Sequence, residues 1–149
     1  MTVRRAIIVL LALAIFGGLA LAGPPRPGAE LRKVSTEKLG AELRRLRSSG
    51  HKGFEPWNGR KQLLLDELSL RLERSTPARV MRIMGPPDEI AHPGDDTWAI
   101  CESSGDHPRL PTGPRAALLV YYWRGGHDFL YFLSDGKAIR GHAWWMAYE

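Results

Sequence analysis

A cysteine, a histidine and an aspartate occur in the order used by some cysteine hydrolases. Cys101, His127 and Asp135 would supply a nucleophile, a general base and a carboxylate that orients the base. A reactive thiol needs a helix N-terminus or a cationic neighbour to lower its pKa, whereas Cys101 falls at the end of a predicted strand beside Glu102. A small cysteine-dependent hydrolase is one hypothesis, and a buried apolar cysteine is the other interpretation.

The five histidines do not show the spacing of a metal site. No two of them stand three or four residues apart, and the zinc motif H-E-x-x-H does not occur. His92, Asp95 and Asp96 are close in sequence, but Pro93 and Gly94 between them indicate an ordinary turn. The glycine motifs of nucleotide sites and the G-x-S-x-G of hydrolases are missing as well. We therefore expect no metal, no cofactor and no catalytic residue.

Aromatic side chains concentrate in three predicted strands near the C-terminus. Successive side chains of a strand point to opposite faces, so Tyr121 and Trp123 share one face while Tyr122 lies on the other. One face must cover the leucine-rich helices, and the other is expected to carry aromatics that nothing in the sequence covers. Such a surface is typical of a binding site, and the alternative is that both faces are core or that the aromatics rim the sheet. The predicted partner-binding residues are Tyr122, Trp123, Phe129, Tyr131, Trp144 and Trp145.

The first 22 residues have the features of an export signal. Arg4 and Arg5 precede an uncharged run over 6–22, and Ala20 and Ala22 match an A-x-A cleavage site. Cleavage would leave an exported protein, periplasmic or extracellular, with no integral membrane span. An uncleaved N-terminal anchor in the inner membrane is the alternative, since the apolar run is of marginal spanning length.

Charge is divided unevenly along the chain, which has 149 residues and a net charge of +5. Residues 24–84 carry 14 basic and 7 acidic side chains, whereas residues 85–149 carry 5 and 9. The two parts either attract each other or present different faces to different partners. Export makes nucleic acid an unexpected partner, so the basic residues form a solvated helix face or weakly contact an anionic membrane surface or cell-wall polymer. These residues are Arg44, Arg45, Arg47, Lys52, Arg60 and Lys61.

Helices come first in the predicted fold and strands second. A Pro/Gly-rich linker over 23–34 precedes a single domain over 35–149, a length that suits one hydrophobic core. Leucines at helical spacing and capping residues predict helices, with Ser35 or Thr36 and Asn58 as N-caps. The predicted helices span 36–48, 60–74 and 77–84.

The second half of the chain predicts an antiparallel meander. Short Gly-Gly and Asp-Gly turns connect the apolar runs, and parallel neighbours would need long crossovers. The predicted strands span about 97–102, 116–123, 129–133 and 138–145. Helices packed on a three- to four-stranded antiparallel sheet make this an α+β protein. Between the two parts, a rigid structural turn is predicted at Gly85, Pro86, Pro87 and Asp88.

The junction between helices and strands carries a family resemblance. Thr76-Pro77, Met84 to Asp88, Trp98, the aromatic strands and the turn before Ile139 are together similar to the SmpA/OmlA (BamE-like) family of small exported bacterial proteins. The resemblance covers about 76–139 and implies a fold similar to the β-lactamase-inhibitor-protein domains. It also implies that the protein binds other proteins of the cell envelope. The chain departs from the family in having no lipid-bearing cysteine and a longer helical N-terminal part.

Three functional hypotheses follow from these patterns. The first is an exported, non-catalytic protein-interaction module of the bacterial cell envelope whose partner is an envelope protein. The second, which the inhibitor-like fold suggests, is an inhibitor of an exported enzyme. The third is the cysteine-dependent hydrolase.

Overall fold

The computed structural model describes residues 27–49, 56–103 and 108–147. In these ranges a short 3-10 helix is followed by four helices and four strands, which confirms the predicted α+β class. In chain order the elements are the 3-10 helix Ala29–Lys33, α1 (Thr36–Ser48), α2 (Arg60–Leu72), α3 (Pro77–Met84), β1 (Glu89–Ala91), α4 (Asp96–Ser103), β2 (Ala117–Arg124), β3 (Asp128–Ser134) and β4 (Ile139–Trp145). The predicted signal over 1–22 lies outside these ranges.

The capping residues explain where the helices begin. Ser35 and Thr76 are the N-caps of α1 and α3, and their side chains accept hydrogen bonds from backbone N–H groups three residues on. Asn58 was expected to cap α2, but Gly59 occupies the N-cap. Instead, Gln62 of the first turn accepts a 2.7 Å hydrogen bond from the Asn58 N–H. Helix α2 also ends at Leu72 rather than 74, because Arg74 adopts a positive φ of 62° that is incompatible with a helix.

Part of the predicted linker is folded. The 3-10 helix Ala29–Lys33 falls inside the expected linker of 23–34, and its Leu31 is fully buried in the main core. Arg71 of α2 donates hydrogen bonds to the carbonyl oxygens of Leu31 (3.0 Å) and Val34 (2.6 Å). One buried apolar side chain and two hydrogen bonds from Arg71 therefore anchor this segment. The Pro/Gly-rich residues next to it are the reason that it was predicted to be a linker.

The predicted structural turn lies where α3 ends. Gly85 has a φ of 87°, a conformation that favours glycine, and Pro86 and Pro87 prevent the helix from continuing. The Asp88 N–H then donates to Val120 O at 2.9 Å, which begins the pairing of β1 with β2. The turn therefore redirects the chain from the helical layer into the sheet.

The four strands form one antiparallel sheet in the order β1-β2-β3-β4. The turns after β2 and β3 contain Gly125 and Gly136, both with positive φ. The first helices pack on one face of this sheet, and a second core lies on the other face. In the described ranges, no helix has the length and apolar character needed to cross a bilayer.

The strand predicted over 97–102 is wrong, because these residues belong to α4. Asp95 O accepts the Ala99 N–H, and Asp96 lies in the first turn, where a carboxylate is favoured by the helix dipole. Trp98 and Cys101 are buried three residues apart, which is helical spacing. A short apolar run does not distinguish a strand from a helix, and the first strand is instead Glu89–Ala91.

Because α1 packs closely on α3, we expect a side chain at Gly40 to destabilise the protein. A Cβ at this position would lie 2.4 Å from Ile83 O, and backbone cannot move as a flexible side chain can. We expect Gly40→Ala to lower the free energy of unfolding by about 2 kcal/mol through overpacking, although alanine favours helices. Urea unfolding measures this change. Ala41→Gly, on the exposed side of the same helix, is the control. It should lower the free energy of unfolding by about 1 kcal/mol through helix propensity alone. A Gly40→Ala variant more stable than the parent would contradict the packing.

Candidate functional site on the second face of the sheet

The two faces of the sheet divide the predicted binding residues as strand alternation requires. Trp123 and Trp144 lie on the face that the first helices cover. The other four lie on the opposite face, called here the second face; they are Tyr122, Phe129, Tyr131 and Trp145. The predicted alternation is therefore confirmed, but the six residues do not form one surface.

The two tryptophans on the helical face belong to the core. Trp123 is 1% exposed, and its ring centroid lies 4.8 Å from that of Trp57 and 6.1 Å from that of Trp144. The Trp144 Nε1 donates a 2.8 Å hydrogen bond to the Asp66 carboxylate, whose pKa is raised by burial. Both residues hold the sheet to α2, and Trp123 has no surface to offer a partner.

The expectation that nothing covers the second face is also wrong. Helix α4 contributes Trp98 and Cys101 to this face, and Leu110 packs at its margin. Tyr131, a predicted binding residue, is fully buried in this second core. The misassigned strand explains the error, because the residues that provide the cover were expected to lie within the sheet.

Three of the predicted binding residues, Tyr122, Phe129 and Trp145, lie side by side on the second face. In the strand register, Tyr122 pairs with Phe129, and Phe129 pairs with Trp145. The Phe129 ring centroid lies 5.8 Å from Tyr122 and 6.5 Å from Trp145, edge-on in the first case and stacked in the second. We call these three side chains the aromatic row. Phe129 is 4% exposed, whereas Tyr122 and Trp145 are only partly buried.

Asp128 holds the hairpin that carries the aromatic row. Its carboxylate is 1% exposed, accepts from Arg124 at 2.6 Å and accepts the Ala147 N–H at 2.9 Å. Burial alone would raise the pKa of Asp128, but these hydrogen bonds and the Arg124 charge outweigh it and lower the pKa. One side chain thus joins the end of β2, the start of β3 and the segment after β4, the three positions that flank the row.

The structural turn positions the Tyr122 end of the row. The Tyr122 N–H donates to Asp88 at 2.8 Å, and its hydroxyl donates to Glu89 at 2.8 Å. Burial and the neighbouring carboxylates raise the pKa of Tyr122 to about 12, so the hydroxyl stays protonated. The sequence predicts Asp88 only as a turn residue, because nothing in it indicates a contact 34 residues away.

The histidine and the aspartate of the hydrolase hypothesis lie at opposite ends of one strand. His127 precedes β3 and Asp135 follows it, so the seven-residue strand separates them. The Asp135 carboxylate accepts the N–H groups of Lys137 and Ala138, both at 2.8 Å, and these bonds lower its pKa. Burial raises the pKa of Cys101 to about 11, although a hydrogen bond with Tyr131 lowers it in part.

Two of the loop residues considered as cation ligands, His92 and Asp95, make hydrogen bonds to other atoms of this chain. Asp95 accepts the His92 N–H at 2.7 Å, and His92 Nδ1 lies 3.2 Å from Ala116 O. Within the described residues, no three His, Cys, Asp or Glu side chains are grouped in a way that could hold a metal ion.

Most of the basic residues considered as a partner face bind atoms of this chain. Arg44 donates to the carbonyl oxygens of Arg82 and Ile83, at the end of α3. Arg60 donates to Glu42 at 2.7 Å, and Lys61 donates to Trp123 O at 2.8 Å. Arg45 is exposed, and Lys52 lies outside the described residues.

The Asp128 contacts predict a pH-dependent contribution to stability. Because its pKa is lowered on folding, the carboxylate stabilises the fold above the unfolded pKa of about 4 and loses this effect as the pH falls. We expect Asp128→Asn to lower the free energy of unfolding by about 2 kcal/mol at pH 7, and by less below pH 4. Urea unfolding across this pH range measures the difference. An equal loss of stability at pH 3 and pH 7 would contradict the role of the charge.

The burial of Cys101 predicts a slowly reacting thiol. A pKa of about 11, against an ordinary value of 9.0, leaves about 100-fold less thiolate at pH 8. We expect iodoacetamide to alkylate the folded protein at least 100-fold more slowly than the unfolded chain, as followed by mass spectrometry. Equal rates for the two states would contradict the buried environment.

The chain matches no family model, no curated protein and no solved structure. The resemblance of 76–139 to the SmpA/OmlA family thus stays a prediction based on short motifs. Thr76-Pro77 does begin a helix, and Gly85 does end it. Trp98 lies in α4 and not in the strand that the resemblance implied.

Proposed function

We propose that this is an exported, non-catalytic interaction module of the bacterial cell envelope, which binds an envelope protein through the aromatic row. The supporting observation is the position of Tyr122, Phe129 and Trp145 directly opposite one another on three adjacent strands. The row lies on the second face, and its two outer members keep part of their surface exposed.

The chemistry of the row suits protein recognition. Tryptophan and tyrosine supply large contact areas with few rotatable bonds, and they are enriched among the residues that dominate binding energy. Asp128 at one end and Asp88 with Glu89 at the other fix the strands that carry them. A surface held in this way loses little conformational entropy when a partner binds.

The arrangement around Cys101 favours binding over catalysis. Its thiol is buried with a raised pKa, and the carboxylate that would orient a base is committed to its own turn. A nucleophile needs the opposite conditions, a lowered pKa with an oriented base in contact. The proposal therefore assigns no catalytic role to these residues.

A photo-crosslinking residue at position 145 tests the proposal. We expect benzoylphenylalanine in place of Trp145 to crosslink to one envelope protein in host cells. The same substitution at Ile90 should not, because Ile90 is 46% exposed on the opposite edge of the sheet. No crosslinked protein at position 145, or the same protein from both positions, would contradict the proposal.

A binding measurement with the crosslinked partner then tests the energy of the contact. We expect Trp145→Ala to raise the dissociation constant at least tenfold, because a buried tryptophan at an interface is typically worth about 2 kcal/mol or more. Ile90→Ala should leave it unchanged. Thermal unfolding of both variants verifies that they are folded, and an unchanged affinity in a folded Trp145→Ala variant would refute the role of the row.

A further inference from the structure

An open groove lies between α1 and α3. It has a volume of about 370 Å³ and is lined by Glu37, Arg44, Arg82 and Ile83. The two helices approach closely beside it, because a Cβ at Gly40 would lie 2.4 Å from Ile83 O. The three charged lining residues are exposed, so the groove opens to solvent. Its volume is near the lower end of the range for small-ligand sites, about 300–1,000 Å³.

Arg44 is held at this groove by backbone atoms of α3. Its Nη1 donates to Arg82 O at 3.2 Å and to Ile83 O. These carbonyl oxygens belong to the last turn of α3, where the helix dipole favours a cation. Within the described residues, no acceptor contacts the Nε or Nη2 of Arg44. A fork of two donors on a fixed guanidinium group therefore remains available to a ligand.

The charged groups of the groove do not neutralise one another. Among the residues that the structure describes, Glu37, Arg44 and Arg82 form no ion pair. Elsewhere in the helical layer, Arg47 and Arg60 do pair with carboxylates. Two guanidinium groups and one carboxylate thus line a single groove. A ligand that pairs with all three needs two anionic groups and one cationic group.

We propose that this groove binds a free acidic amino acid, whose two carboxylates and one ammonium group match the three charges. One carboxylate takes the Nε–Nη2 fork of Arg44, in the bidentate geometry that a guanidinium group favours. The second carboxylate pairs with Arg82, and the ammonium group pairs with Glu37. Inorganic phosphate would be attracted by the arginines but repelled by Glu37, and a neutral amino acid would leave one arginine unpaired. The three charges together therefore select the ligand class.

This inference goes beyond the proposed function and does not depend on it. The groove lies between two helices of the helical layer, whereas the envelope partner uses the aromatic row on the second face of the sheet. Loss of amino-acid binding with retained crosslinking at position 145 would overturn this inference and leave the proposed function standing. Amino-acid binding without any crosslinked partner would do the reverse.

An NMR titration of the isotope-labelled full chain with L-glutamate tests the proposal. We expect a dissociation constant of about 1 mM at low ionic strength, because each exposed ion pair contributes little. The amide signals that shift should belong to α1 and to the last turn of α3. Arg82→Gln should weaken binding about threefold, because it removes one ion pair with the ligand. Arg45→Gln is the matched control: it removes the same charge from an exposed position of α1, near Glu42 and outside the groove, and should leave the affinity nearly unchanged.

Glutarate, which is glutamate without its ammonium group, tests the contact with Glu37. The parent chain should bind glutamate about threefold more tightly than glutarate. Glu37→Gln should weaken the binding of glutamate and strengthen that of glutarate, because it removes an attraction in the first case and a repulsion in the second. Thermal unfolding verifies that each variant is folded.

Three results would each overturn the proposal. The first is the absence of shifted signals around the groove at about 10 mM glutamate, ten times the expected dissociation constant. The second is an equal loss of affinity in folded Arg82→Gln and Arg45→Gln variants, which would indicate a diffuse attraction to the basic helices. The third is a change of the same sign for glutamate and glutarate in Glu37→Gln.

Discussion

The guanidinium group of Arg47 holds together three parts of this fold that are distant in sequence. It donates to Met84 O at 2.9 Å and Pro86 O at 2.8 Å, and it pairs with Asp88 at 2.9 Å. The same group lies 5.0 Å from the ring centroid of Tyr121. Helix α1, the end of α3 and strand β2 therefore meet at one cation. Only arginine combines a planar fork of donors with a face that stacks on an aromatic ring.

The second face depends on this contact. Arg47 occupies one oxygen of Asp88, and the other oxygen accepts the Tyr122 N–H. This fixes the exit from the structural turn, so that β1 lies beside β2 and the chain continues into α4 on the far side of the sheet. The cover of the second face and the position of Tyr122 are thus consequences of a contact made in the helical layer.

Local signals in the sequence predicted the parts of the fold that local chemistry determines. The cap at Ser35, the turn at Gly85 and the alternation of Tyr121 and Tyr122 all follow from neighbouring residues. Helix α4 was missed because a six-residue apolar run is ambiguous and its burial partners come from β2 and β3. Trp123 and Tyr131 of the predicted site lie in the core for a related reason: alternation assigns a side chain to a face, but only tertiary packing decides whether that face is covered.

The basic residues of 24–84 mostly do not form ion pairs with the acidic residues of 85–149. Among the described residues, Arg60–Glu42 and Arg71–Glu67 join residues of the basic part, and Arg124–Asp128 and Arg140–Asp135 join residues of the acidic part. The pairs that cross between the parts are Arg47–Asp88 and His142–Glu73, and the second is ionic only when the histidine is protonated. The excess positive charge therefore stays with residues 24–84 and the excess negative charge with residues 85–149, where Asp95, Asp96 and Glu102 lie in or beside α4 and not in the sheet. The partner proposed for the aromatic row would meet the acidic part of the chain, so cationic groups around an apolar anchor would complement it best.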